Sequence, residues 1–181
     1  MNVAYLGPDN DLVRFIESTG SRVWRTEERV DDLDADFIVS YGYRHMLSPR
    51  IVDEFDGRAV NLHISYLPYN RGASPLYWAV REGTPVGVSI HYIDRGVDTG
   101  DIIAQKQVAV TGTLSTGYGQ LKSFIEELFR VHWRDIRRGT CQRIKQTSRG
   151  TYHDKQQFES VVLPKGWLTP LEEVKPLRRV A

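Results

Sequence analysis

The chain has 181 residues, with 24 Lys and Arg against 23 Asp and Glu for a formal charge of +1. That length suits one domain with a small appendage, and the charge balance excludes a strongly basic protein that coats DNA or RNA. A single cysteine, Cys141, excludes an internal disulfide or a multi-cysteine zinc site and points to a reducing, cytoplasmic compartment. No apolar run approaches the ~20 residues that cross a bilayer. The opening Met-Asn-Val-Ala-Tyr-Leu-Gly lacks a basic leader and a cleavage site.

That opening predicts a first strand over residues 3–6, followed by a Gly7-Pro8-Asp9-Asn10 turn and an amphipathic helix over residues 11–18 that Gly20 ends. Residues 22–24 suggest a second strand, the acidic run 31–34 a solvated connection, and residues 36–40 a third, buried strand. Ser48-Pro49 and Ser74-Pro75 each combine a capping residue with a proline suited to the first helical turn, which predicts helices over 49–55 and 75–82. The run 59–64 is a further buried strand. Residues 86–93 and 102–105 flank the glycine-bounded loop Gly96-Val97-Asp98-Thr99-Gly100-Asp101, which predicts a hairpin. A long helix over 117–138 carries Leu121, Phe124, Ile125, Leu128, Val131, Trp133 and Ile136 as a core stripe. The alternation predicts an α/β fold, Rossmann-like, with a mostly parallel twisted sheet and helices on both faces. Residues 1–140 are expected to form the catalytic domain, and residues 141–181 an extension packed on it.

Two polar residues interrupt the strand over 59–64, Asn61 and His63. Positions two apart on a strand share a face, so the amide and the imidazole project together near the strand's carboxyl end, where open α/β sheets place their ligand sites. The hairpin tip can set Asp98 beside His63. A carboxylate there raises the imidazole's pKa and orients it for proton transfer, while an amide N–H stabilises a carbonyl oxygen that becomes negative. Such a set suits acyl transfer to an atom supplied by the substrate. Each part has a plainer reading: a lone buried histidine is commonly a hydrogen-bonded core residue, and Asp-Thr-Gly-Asp is a sufficient turn. The ordered combination favours catalysis.

The segment N-L-H-I-S-Y-L-P-Y-N-R-G-A-S-P followed by G-V-D-T-G-D-I-I-A-Q resembles the folate-dependent formyltransferases, a group that includes the glycinamide ribonucleotide, methionyl-tRNA and sugar-nucleotide N-formyltransferases. The resemblance covers roughly the first two thirds of the chain. It implies that Asn61, His63 and Asp98 are catalytic and that N10-formyltetrahydrofolate is the formyl donor. It further implies that Asn61 and a protonated His63 stabilise the oxyanion while Asp98 supports His63. Tyr41, Gly42, Tyr43 and Arg44, with Asp94 and Val97 from the loop before Asp98, are the implied pterin pocket, although Arg44 is equally an ordinary surface residue. Contacts to the acceptor are assigned to Gly7, Asp9 and Asn10 of the first turn and to Ser65, Tyr69, Asn70, Arg71 and Gly72. The first turn has an alternative as a plain strand-to-helix connection, and Arg71 one as a loop stiffener. No metal is implied, since the histidines show no H-x-x-x-H or H-E-x-x-H pairing.

The first turn departs from the phosphate-holding Gly-Ser-Asn of purine-pathway relatives, which argues against glycinamide ribonucleotide. The chain is also expected to lack the additional C-terminal domain of methionyl-tRNA formyltransferases, so tRNA and DNA are not expected partners. A small-molecule amine, a nucleotide-linked amino sugar before an amino acid derivative, is the expected acceptor, and a homodimer is possible. His153 and Trp167 either cover the acceptor or pack the tail. A formyltetrahydrofolate hydrolase and a non-catalytic folate-binding module remain as alternatives.

Overall fold

Short apolar runs with scarcely a polar residue between them become parallel strands at the centre of a sheet, because such strands are covered on both faces. The computed structural model describes residues 1–174. In it the elements run β1 (Asn2–Leu6), α1 (Asp11–Ser18), β2 (Arg22–Thr26), β3 (Phe37–Ser40), α2 (Pro49–Glu54), β4 (Ala59–His63), β5 (Arg71–Gly72), α3 (Pro75–Glu82), β6 (Gly87–Tyr92), β7 (Ile102–Gln107), α4 (Leu114–Ile136), β8 (Tyr152–His153) and α5 (Lys155–Glu159). Two 3-10 turns, Gly166–Leu168 and Leu171–Glu173, follow.

Six strands form one sheet in the order β2-β1-β3-β4-β6-β7. The first four are mutually parallel, and β6 and β7 run antiparallel to their neighbours. The expected mostly parallel α/β sheet is therefore present, with the predicted hairpin running antiparallel at its edge. Alternate residues of β1 serve opposite faces. Val3 and Tyr5 join the larger core with α1 and α4, whereas Ala4 and Leu6 join a smaller one with Ile51 and Phe55. Helices thus cover both faces, as binary patterning of the strand requires.

Some local expectations are corrected. The acidic connection is not fully solvated, because Val30 and Leu33 are buried in the smaller core. Ser48 caps α2 with its side chain, whereas Ser74 adopts a left-handed conformation and makes no capping bond, leaving Pro75 to set the start of α3. Helix α4 begins three residues earlier than expected, at a capping box between Thr113 and Thr116. Val131 leaves the expected stripe and is 69% exposed, while Phe129 is fully buried in its place. At 3.6 residues per turn, Phe129 lies between Ile125 and Trp133 on one line of the helix, and Val131 falls on the opposite side.

Beyond α4 the chain returns across the molecule. Ile144 bridges Ile102, β8 pairs with β5 in a second, two-stranded sheet, and Pro170 bridges Thr113. Residues 175–181, the end of the expected extension, lie outside the described residues.

Candidate active site

The floor of the site is a cross-strand pair. Val60 and Leu62 point into the larger core, so Asn61 and His63 point to the other face, and the β4–β6 register sets Asn61 directly opposite His91. The turn after β6 then brings Asp98 onto both. Asn61 Nδ2 donates to Asp98 Oδ1 at 3.1 Å and lies 3.2 Å from His91 Nε2. His63 Nδ1 lies 3.6 Å from Asp98 Oδ2, and His91 Nε2 lies 3.4 Å from Asp98 Oδ1. The amide, imidazole and carboxylate singled out in the sequence therefore meet, although Asn61 holds both of its N–H groups toward Asp98 and His91.

His91 is the participant that sequence reasoning missed. The signal was present: next to the last residue of a mostly apolar strand stands a histidine, in antiparallel register with Asn61. Its Nδ1 lies 2.8 Å from the Tyr92 carbonyl. Its Nε2 faces both Asn61 Nδ2 and Asp98 Oδ1, so the ring nitrogen that carries the proton decides whether it accepts from the amide or donates to the carboxylate.

Asp98 is held in a left-handed backbone conformation, φ 53°, that few non-glycine residues adopt. Next to it, Gly100 passes so close to β6 that a Cβ would lie 1.9 Å from the Tyr92 carbonyl oxygen. The Gly72 N–H donates to Asp98 Oδ2 at 2.9 Å. Burial pushes the Asp98 carboxyl up, but His63, His91 and the Gly72 N–H pull it further down, and it stays ionised well below the usual carboxylate range.

His63 behaves otherwise than expected. Burial pushes its pKa down, Asp98 opposes that without cancelling it, and the ring sits below the ordinary histidine value. That direction favours the neutral ring before substrate binds, whereas the resemblance implied a protonated one during the reaction. Desolvation outweighs the nearby carboxylate because the ring is 8% exposed and its contact with Asp98 is longer than a hydrogen bond. Its Nε2 lies 3.2 Å from the Asn70 carbonyl.

These groups open onto a cavity of about 1270 Å³, whose lining includes Asn61, His63, His91 and Asp98. One set of lining segments is Ser40–Leu47 together with Ile93, Asp94 and Val97; all six expected pterin-pocket residues are among them. A second set comprises Gly72–Tyr77 and, from the extension, Tyr152–Lys155, Phe158 and Trp167.

The expected acceptor contacts divide. Gly72 lines the cavity, but Ser65, Tyr69, Asn70 and Arg71 do not. Ser65 Oγ donates to the Tyr69 carbonyl, Asn70 is fully buried, and the Arg71 guanidinium donates to the Arg149 and Thr151 carbonyls. Gly7, Asp9 and Asn10 also stand outside it: Asn10 caps α1 and bonds Tyr5, and Asp9 faces Arg14. The first turn is here a strand-to-helix connection. His153 and Trp167 pack the tail, His153 stacking on Trp78 at 4.0 Å and Trp167 packing on Phe158, and both also line the cavity.

Residues 16–123 match the model of the formyl transferase family. The chain belongs to that family. It is 42% identical to the formyltransferase PseJ of Anoxybacillus kamchatkensis, whose crystal structure holds UDP-4,6-dideoxy-4-formamido-L-AltNAc and tetrahydrofolate. That structure superposes with a TM-score of 0.93, over 97% of this chain and 98% of the other. The dTDP-4-amino-4,6-dideoxyglucose formyltransferase of Mycobacterium tuberculosis is 33% identical over 128 residues, 70% of this chain and 54% of that protein. The chain thus spans about half the length of the curated relatives of this type. A 4-N formyltransferase from Francisella tularensis, at 20% identity and a TM-score of 0.76 over 98% of this chain and 86% of the other, shares the fold.

Among the described residues no group of three or more His, Cys, Asp or Glu is arranged to hold a metal ion, and no helix is long and apolar enough to cross a membrane.

Proposed function

We propose that the protein is an N-formyltransferase that moves a formyl group from N10-formyltetrahydrofolate to the amine of a nucleotide-linked amino sugar. The observation that carries this reading is the convergence of Asn61, His63 and Asp98 on one cavity. Its volume of about 1270 Å³ exceeds the ~300–1,000 Å³ of a pocket for one small ligand, which suits a donor and an acceptor together. The segments Ser40–Leu47 and Ile93–Asp98 fit the folate, offering the Tyr41 and Tyr43 rings, the aliphatic Leu47 and Val97, and the polar Asp94. Bound there, the donor supplies the formyl carbon. The acceptor reading draws on the formamido sugar nucleotide bound to the 42%-identical relative.

The chain's own groups divide the work. Neutral His63 takes a proton from the attacking amine, and the imidazolium that forms is stabilised by Asp98 on one side and the Asn70 carbonyl on the other. Asn61 turns one N–H away from Asp98 or His91 toward the carbonyl oxygen as that oxygen gains charge. His63 then returns the proton to the departing nitrogen. The C–N bond to the acceptor forms as that to the donor breaks, giving a formamide and tetrahydrofolate. We assign the reaction to the cytoplasm, in keeping with the single cysteine, Cys141.

The test is to mix the protein with N10-formyltetrahydrofolate and UDP- or dTDP-linked amino sugars and follow tetrahydrofolate release and the formamide by mass spectrometry. Transfer that requires the amine supports the reading. Release without an amine would make the protein a hydrolase instead, and folate binding without release a binding module.

A further inference from the structure

The reacting carboxylate and imidazole both depend on groups that do not touch the cavity. Asp98 occupies a strained left-handed conformation, which persists only where surrounding contacts impose it. Gln146, from the segment after α4, supplies those contacts: its Nε2 donates to the Asp98 carbonyl at 3.0 Å and to the Gly100 carbonyl at 2.8 Å, clasping the turn from both ends. The other end of the amide, Oε1, is buried without a partner among the described residues, so the side chain leaves a polar atom unmet while making these two bonds.

A second strut reaches His63. Thr151 Oγ1 accepts from the Asn70 N–H at 2.8 Å and donates to Asn70 Oδ1 at 3.1 Å. Asn70 is fully buried and left-handed, with φ 54°, and its carbonyl faces His63 Nε2. The Thr151 carbonyl also accepts from the Arg71 N–H, which fixes β5 and with it the Gly72 N–H that holds Asp98 Oδ2. Neither Gln146 nor Thr151 lines the cavity.

We propose that Gln146 and Thr151 are positioning residues, through which the segment after the long helix fixes Asp98 and His63 at the geometry needed for proton transfer. A mere fold staple would alter stability and leave the geometry of Asp98 and His63 unchanged, so the two roles are separable. The inference rests on the formyl-transfer reading for its rate measurements alone.

Gln146→Met keeps the length of the side chain and removes its donors. The expected result is a roughly ten- to hundred-fold fall in kcat with the KM of the amine nearly unchanged. In 13C NMR the Asp98 carboxyl, faced by His63 from β4, His91 from β6 and the Gly72 N–H from β5, should titrate closer to the ordinary carboxylate range than in the parent. Thr151→Val should lower kcat likewise and shift the 15N signal of His63 Nε2, which faces the Asn70 carbonyl, whereas Thr151→Ser, which keeps the hydroxyl, restores both. The NMR arms need no turnover, so they hold even if the acceptor reading fails. An unchanged Asp98 titration in Gln146→Met, or identical behaviour of Thr151→Val and Thr151→Ser, overturns the proposal. Should Gln146→Met not fold, the Thr151 pair decides.

Discussion

The site is assembled from two kinds of chain. Asn61, His63 and His91 stand on adjacent strands of one sheet, and their relative positions follow from strand geometry: two residues apart on β4, and directly opposite in the β4–β6 register. Asp98 and Asn70 stand in loops, both with positive φ, and are held by residues far along the chain, among them Gln146, Thr151 and the backbone around His153. The strand side is rigid because an entire hydrogen-bonded ladder fixes it. The loop side is precise only while a few long-range hydrogen bonds persist. Damage to the first should remove chemistry outright, and damage to the second should degrade it by loosening.

The largest effect is expected at β4. His63→Ala removes the base itself and should cost at least ~10²–10⁴-fold in kcat, the usual range for a positioned acid–base group. The fold should survive with a modest drop in the thermal midpoint, because the ring borders a cavity and Asp98 keeps Asn61 and the Gly72 N–H, although the Asn70 carbonyl loses the His63 ring. A loss of folding instead, seen by circular dichroism, would make His63 a core residue.

Asp98→Asn tests the hinge between the two regions. Base catalysis requires neutral His63, whose pKa burial depresses and Asp98 partly restores. The acid limb of kcat/KM should therefore lie below the ordinary histidine pKa of about 6.5, with activity rising as pH climbs through it and flat across neutrality. Replacing the carboxylate withdraws the one charge that raises His63, so the limb should move to still lower pH while kcat falls about a hundred-fold. A limb that moves upward would show that Asp98 does not act on His63.

The difference between the two regions also governs what the sequence disclosed. The apolar runs, the Ser48-Pro49 helix start and the Asn61/His63 spacing are local patterns with a fixed period, so the sheet, the hairpin and the shared face of Asn61 and His63 were readable from them. What failed needed information from elsewhere. The Ser74 cap was lost to a left-handed backbone set by the surrounding loop. The exposed Val131 exposes a stripe drawn too wide, since Phe129 completes the line with Ile125 and Trp133. His91 was hidden because its role exists only in a cross-strand pair. The depressed His63 depends on burial, which no motif encodes. Thr151 lies 81 residues from Asn70, and β5 and β8, two residues each, show no periodicity.

On the loop side, Gly72→Ala should degrade without abolishing. A Cβ there would lie 2.3 Å from the His153 carbonyl oxygen, at a φ of +88° that side chains rarely adopt. To accommodate it β8 must part from β5, and the Gly72 N–H must withdraw from Asp98. A roughly ten- to hundred-fold fall in kcat is expected, together with amide hydrogen exchange that quickens at Arg71 and Ala73, the residues whose N–H groups β8 and its flank now hold, and not in β4. Exchange that quickens equally in both would mean that the two regions are a single cooperative unit.

The smallest effect belongs to the far end of the extension. Trp167 lines the cavity at 45% exposure, packed on Phe158 and Tyr118, and touches none of the reacting groups. An aromatic ring so placed contributes to holding a ligand in its ground and transition states alike, and removing such uniform binding raises KM while leaving kcat alone. Trp167→Ala should therefore raise the KM of the amine several-fold, about 1 kcal/mol of binding, with kcat and the acid limb unmoved. If kcat fell with it, the last turns of the chain would belong to the machinery that holds Asp98, and the division between a rigid strand side and a loop side ending near His153 would have to be redrawn to include them.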